Sequence, residues 1–382
     1  MIKLINITLL LSLAIMSVGI GGSAFALEDK ENPLYVIQDI RCSGNQSTSC
    51  EFIANRIYLK RNETVTEKNL RNAKLRLSAL PYYESTRLYL EKGEQRGHVI
   101  VVIDVIETSN YETYVSAQMN STGDEVSHHL YGELSIRNLI SEGDIIDIGV
   151  SHSAITNGDM YQLNINYTDP QLFNLEKYYW QAGLSFTHAE HDGDVFDEHD
   201  TCISCSLNFD FSLGRRFADF SYIELRYGYT KNLDGEDLFR DNNHRLSLRY
   251  GWDSEDDPLF TTTGSKFSLF VPVASRTKDQ FEYDIDLIRL NFRKTWGLSS
   301  EWHLKAIFTA AAYTDPEYEA GGTSIRLSRN IHLPWSKRGR WYIGGSVYGN
   351  TLNNDHFSSA TWGILLETKR FGTLNLALSI TD

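Results

Sequence analysis

From Tyr111 onward the chain alternates polar and apolar residues with period two, and no helical period survives. Segments such as YQLNINY, SYIELRYGY, HRLSLRYGW, LIRLNFRKTW and LNLALSI carry the pattern. Ile223, Leu225, Tyr227 and Tyr229 fall on one face, opposite Glu224, Arg226, Gly228 and Thr230. In the next segment Leu246, Leu248, Tyr250 and Trp252 oppose Arg245, Ser247, Arg249 and Gly251. Later, Ile288, Leu290 and Phe292 oppose Arg289, Asn291 and Arg293. The alternation predicts antiparallel strands with one apolar face. Strands of a soluble sandwich average about 5–6 residues. Here many runs reach about 9–12 residues with aromatics near their ends, the length and girdle of a membrane-spanning strand. Some 14 or 15 candidate strands, at roughly 18 residues per strand and turn, predict one closed barrel of about 14–16 strands. The turns after the second, fourth and eighth strands are short or carry proline, whereas HDGDVFDEHD and NLDGEDLFRDNN are long and acidic. A barrel with short turns on one side of a membrane and long loops on the other has this alternation.

The stretch before residue 110 follows another rule. LYVIQDIRCSG reads as a strand, and CEFIANRIYL spaces Phe52, Ile53, Ile57 and Leu59 as a helix does. Thr64-Val-Thr-Glu67 reads as a capping box, opening a helix that carries Leu70, Ala73, Leu75, Leu77 and Leu80 and stops at Pro81. STRLYLEKG and HVIVVIDVIE are two more strands, with GEQRG as their turn. Residues 33–108 are thus expected to form a small α+β domain of order β-α-α-β-β. Ahead of it, residues 1–26 read as an export signal: Lys3, the apolar run Leu9 to Ile20, and Ala24-Phe25-Ala26 as the cleavage pattern. No later segment has the ~18 consecutive apolar residues of a spanning helix.

Composition refines this. The chain holds 21 Tyr, 18 Phe and 7 Trp, yet its mean hydropathy of −0.33 reads as soluble. That average misleads for a barrel, whose strands hide their hydrophobicity by alternating. The net charge of −14 argues against a nucleic-acid partner. Four cysteines suit an oxidising compartment. Cys42 and Cys50 bracket a small polar loop that a disulfide would close, while Cys202 and Cys205 form a CxxC that runs into a strand pattern. Disulfide or plain thiols, a metal site with His188, His191 or His199, and a redox pair are the readings of that CxxC, the first being preferred.

The polar face supplies lumen-facing charges, Glu224, Arg226, Arg245, Arg249, Lys266, Arg289, Arg293 and Lys305, with Asp284 and Asp286 among the acids. They read either as a solvated polar interior or as groups holding a folded-in loop. The acidic run DSEDDPLFTTTGSKFSL lacks the ligand order of a calcium loop and reads as a turn. No nucleophile elbow, metalloprotease helix or phosphate loop occurs, so no catalytic, cofactor or metal residue is assigned. His303 and His332 are the candidates should the barrel be a lipid hydrolase.

Specific motifs carry a family resemblance. VIQDIRCSGN, LSALPYYESTRLYLEKG and VIVVIDVIE resemble a POTRA domain, with Pro81-Tyr82-Tyr83 loosely matching its link; a soluble ferredoxin-like module is the alternative. INYTDPQLFNLEKYYWQAGLSF, RYGWDSEDDPLFTTTGSKFSL and AAAYTDPEYEAGGTSIRLSRN resemble the surface-antigen barrel of the BamA/TamA family. The family-type turn comprises Trp252, Asp253, Asp257, Pro258 and Gly264. Where the family has (Val/Ile)-Arg-Gly-Phe this chain has Ile325-Arg326-Leu327-Ser328, so Arg326 is the loop-anchor candidate, unless TSIRLSRNIHL is itself the following strand. One POTRA-like unit stands where the insertases have several, and LALSITD lacks the terminal aromatic of the family's final strand. The resemblance implies a bacterial outer-membrane protein with its N-terminal domain in the periplasm, partnered by membrane lipids, unfolded or exported protein clients and periplasmic or lipoprotein factors. It implies protein assembly or translocation through β-augmentation and a lateral seam, against which stand a passive pore and a barrel hydrolase.

Overall fold

The structure, a computed structural model, describes residues 34–122, 125–155, 158–172, 175, 177–190, 204–217, 219–233, 243–257, 259–276, 287–313, 319–350, 356–368 and 371–381. The expected export signal, the acidic loop at 191–200, and Cys202, Pro258, Asp284 and Asp286 lie outside these residues.

The N-terminal domain builds a four-stranded sheet from β1 (Tyr35–Ser43), β2 (Thr64–Val65), β3 (Tyr83–Lys92) and β4 (His98–Glu107), in the order β2-β1-β4-β3. Helices α1 (Cys50–Arg56) and α2 (Glu67–Ser78) complete it. β4 lies between β1 and β3, which is why HVIVVIDVIE is almost continuously apolar. Ile37, Phe52, Ile53, Ile57, Leu77, Val101 and Ile103 are fully buried in the core. One local expectation is corrected. Thr66, not Thr64, caps α2, its hydroxyl accepting from the Asn69 amide at 3.2 Å. Buried Val65 pairs with Tyr35 and draws Thr64 into the sheet, so tertiary burial overrides the capping-box reading. A disulfide joins Cys42, late in β1, to Cys50, which opens α1.

Among the described residues the second domain is a closed barrel of fifteen strands. They are β5 (Tyr111–Thr122), β6 (Glu125–Arg137), β7 (Ile145–Ile155), β8 (Gly158–Asp169) and β9 (Tyr178–Ala189). Next come β10 (Ser204–Arg216), β11 (Ser221–Asn232), β12 (Asn243–Asp253), β13 (Gly264–Arg276) and β14 (Leu287–Gly297). The circuit ends with β15 (Trp302–Tyr313), β16 (Glu319–Ile331), β17 (Ser336–Asn350), β18 (His356–Thr368) and β19 (Gly372–Thr381). Consecutive strands pair antiparallel, whereas β19 pairs parallel with β5. The expectation of an all-antiparallel barrel is corrected at this one ladder. In an up-and-down chain with an odd number of strands, the first and last run the same way.

Alternation sets the two faces. Ile223, Leu225, Tyr227, Leu248, Tyr250 and Ile288 are exposed on the outer surface, with cross-strand neighbours of the same kind. Glu224, Arg226, Arg245, Arg249, Arg289 and Arg293 share the opposite, inward face by register. No helix among the described residues is long and apolar enough to cross a membrane. The turns β6–β7, β8–β9, β10–β11, β12–β13, β14–β15, β16–β17 and β18–β19 share the end of the barrel from which β5 leaves the N-terminal domain.

Candidate functional site: the barrel mouth beneath the N-terminal domain

The β6–β7 turn, Asn138 to Asp144, is shaped as a docking pad. Asp144 is fully buried and accepts amides from Leu139 (2.8 Å), Ile140 (2.8 Å) and Ser141 (3.1 Å). Asn138, at positive φ, accepts the Gly143 amide at 2.7 Å. This presents Glu142 and Gly143 upward. The Glu142 carboxylate accepts the Ser49 amide, and its second oxygen accepts the Ser49 hydroxyl at 3.1 Å. Tyr82 donates its hydroxyl to the Gly143 carbonyl at 2.6 Å, and its burial pushes that phenol's pKa up. Gly143 has φ +81°, and a Cβ there would fall 2.2 Å from the Phe52 ring, so only glycine permits this approach.

Two further contacts fix the domain. Arg76 of α2 lies over the Tyr58 ring at 4.8 Å and over Phe220 of the β10–β11 turn at 4.2 Å. Lys337, at the start of β17, pairs with Glu84 at the start of β3 at 3.1 Å. The linker is pinned as well: Arg137 donates its amide to the Asn110 carbonyl at 2.8 Å and pairs with Glu112.

The acidic β12–β13 turn folds into the mouth. Asp256 accepts the amides of Thr262 and Thr263, and Asp257 those of Leu259 and Phe260. Glu255 is buried and pairs with Arg293 of β14, Asp257 pairs with Arg338, and Asp253 pairs with Lys266 at 2.6 Å. From β17, four strands further round the wall from β13, Arg340 donates to the carbonyls of Thr261 (2.8 Å) and Phe260 (3.1 Å). Gly264, at φ +127°, restarts the strand where a Cβ would meet the Ser254 carbonyl at 2.5 Å. The turn therefore folds over one side of the mouth, tied to β14 and β17.

β3 lies at the edge of its sheet and, among the described residues, pairs only with β4, leaving its other edge open. Its first residues, Tyr83 to Thr86, line a cavity of about 360 Å3 shared with Asp256, Phe260 and Arg338. A larger cavity of about 600 Å3 continues from Tyr83 and Glu84 to Tyr114, Glu133 and Asp147 on the inner wall beside the parallel ladder. That ladder comprises nine residue pairs, from Thr373 with Tyr114 to Thr381 with Thr122. Asn375 donates to the Ser116 hydroxyl at 3.1 Å within it, and Thr113 donates to the Phe371 carbonyl at 2.7 Å beside it. At nine pairs the ladder is shorter than the other described ladders of the barrel except β13–β14, which shares seven.

Arg326 stands within β16, its guanidinium 4.2 Å above the Tyr342 ring. Arg226 pairs with Asp210 at 3.1 Å, and Glu224 accepts the Tyr179 hydroxyl at 2.9 Å. Cys205 is disulfide-bonded. His303 is buried on the inward face and His332 lines the mouth cavity, so neither lies on the apolar outer wall. Sequence reasoning did not single out Glu142, Gly143, Arg338 or Arg340, whose roles depend on partners in other elements. It also passed over an outer-surface band at the far end of the barrel. There His152 stacks on Tyr161 at 4.8 Å beside His128, and His244 bonds the Tyr227 hydroxyl at 2.7 Å. These rings occupy the place of an aromatic girdle.

Residues 35–108 match the POTRA family, described as a surface antigen variable number repeat. No curated protein matches the chain. Among solved structures the fold is shared with CdiB from Acinetobacter baumannii, with a TM-score of 0.61 and 12% identity over 88% of this chain and 68% of that one. CdiB from Escherichia coli gives 0.60 and 12%, covering 87% and 70%. BamA from Haemophilus ducreyi lacking POTRA domains 1–3 gives 0.43 and 13%, covering 90% and 80%. The fold is a POTRA domain followed by an outer-membrane type of β-barrel.

Proposed function

We propose that this chain is a POTRA-bearing relative of the BamA/TamA barrels that acts on unfolded or exported polypeptide at a bacterial outer membrane, with the POTRA domain in the periplasm. One observation carries the reading: the open edge of β3 begins at a cavity in the barrel mouth, and the neighbouring cavity leads to the parallel ladder. An extended client segment added to β3 gains main-chain hydrogen bonds, and its leading end then lies beside the mouth. The β5–β19 ladder is the seam such a segment would enter, because parallel pairing is slightly weaker per residue than the antiparallel pairing elsewhere. Arg326 stands in strand β16 and not at a folded-in loop, so it joins the inward charges that hold polar segments in the lumen. Membrane lipids, protein clients and periplasmic or lipoprotein factors are the partners this reading requires.

A passive pore is the second reading, favoured by the nine-pair seam, which closes the wall. The β12–β13 turn, tied over one side of the mouth by Arg293 and Arg340, narrows the entrance and counts against a wide open lumen. Reconstitution into liposomes with an unfolded barrel protein separates the two. Accelerated insertion of the test protein is expected, and steady ion conductance without acceleration would leave the pore.

A further inference from the structure

A third cavity at the junction, of about 360 Å3, is bounded by α1 and α2 on one side and the inner rim of the barrel on the other. Arg56, Arg76, Arg216, Arg249 and Lys266 line it. Its three lining carboxylates are already engaged: Asp253 with Lys266, Glu255 with Arg293, and Glu224 with the Tyr179 hydroxyl. Among the described residues the four arginines have no carboxylate at ion-pair distance. Arg216 makes one contact to the Pro170 carbonyl at 3.4 Å and lies over the Tyr179 ring at 4.0 Å. Arg56 Nε and Arg76 Nη2 are buried without an acceptor.

Buried guanidinium nitrogens without an acceptor are costly; Arg76 has Asp219 as an acidic neighbour, beyond ion-pair distance, and Arg56 and Arg216 carry like charge toward the same cavity. The planar forks of arginine match the oxygens of a tetrahedral oxyanion. We propose that this junction binds a phosphate-class oxyanion, held between Arg56 and Arg76 of the POTRA domain and Arg216 and Arg249 of the barrel. The bound anion ties the two domains together, so its occupancy sets how firmly the POTRA domain sits on the mouth. The reading is independent of what the protein does with polypeptide clients.

The test is equilibrium dialysis of the full chain, folded in neutral detergent, against radiolabelled inorganic phosphate at constant ionic strength. Saturable binding is expected, competed by sulfate and not by chloride. Arg56→Gln, at the half-buried end of α1, should weaken it on the order of tenfold through loss of a charge-assisted hydrogen bond. Arg71→Gln, exposed on α2 and outside the cavity lining, should bind as the parent does. Phosphate should also slow proteinase K cleavage of the Thr108–Asn110 linker in the parent and not in Arg56→Gln. Competition by phosphatidylglycerol added to the micelles would identify a lipid phosphate as the source, and its absence a soluble anion. Equal binding by parent and Arg56→Gln, or equal effects of phosphate and chloride, would overturn the site.

Discussion

Gly143 and Tyr82 show how much of the domain junction rests on single positions. Gly143→Ala would drive a methyl into the Phe52 ring and force a left-handed backbone on alanine. A loss of about 1–3 kcal/mol of docking stability is expected. Faster proteinase K cleavage of the Thr108–Asn110 linker, with the barrel still folded, would register it. Glu107 gives a pH test. Burial alone would raise its carboxyl, but the Thr48 hydroxyl and the amides of Ser47 and Thr48 outweigh it and hold the pKa below the ordinary value. A carboxylate depressed on folding stabilises above its unfolded pKa, about 4.3, and loses that contribution as pH falls through its folded value. Exchange protection of the Ser47 and Thr48 amides should therefore fall with acidification below about pH 4.3, and Glu107→Gln should show reduced protection at neutral pH. Neither role is legible in the sequence. The glycine matters because of a phenylalanine on another domain, and the glutamate because a turn far from it in sequence folds over it. By contrast, Trp252, Asp253, Asp257 and Gly264 stand out, because an acidic break within strict alternation has few explanations besides a turn.

Strands were the readable elements. Lipid on one side and polar lumen on the other impose period two on every barrel strand, so the face of Leu225 or Leu248 follows from its neighbours. The POTRA helices were readable from their apolar spacing, but the cap of α2 was not, since Val65 is committed to the sheet. Open-edged β3 invites a direct test. A photo-crosslinking residue at Tyr89, exposed on β3, should capture an unfolded client, whereas one at Thr64 on β2 should not. Equal capture at both would remove β3 as the receiving edge. The Cys42–Cys50 bridge closes a loop between β1 and α1. The double substitution Cys42→Ser/Cys50→Ser should cost about 2 kcal/mol of POTRA stability by denaturant unfolding, leaving barrel strands unaffected.

At the scale of the whole molecule the decisive element is the seam. Ser116 and Asn375 face each other across it in hydrogen-bond contact. Oxidised Ser116→Cys/Asn375→Cys protein should lose any acceleration of client insertion while keeping its conductance, and reduction should restore it. Unchanged acceleration in the oxidised form would exclude opening at this ladder. The sequence could bracket the number of strands but not decide its parity, since one strand more or less leaves every local alternation intact. Parity has a directional meaning. β5 runs away from the POTRA domain and β19 runs beside it in the same sense, so Thr381 reaches the rim opposite the domain that holds Tyr35. A membrane-impermeant label directed to a tag after Thr381 would therefore enter from the side opposite one directed to Tyr35. In a barrel of even strand number both tags would answer to the same side, so two labelling reactions tell an odd set of staves from an even one without resolving any of them.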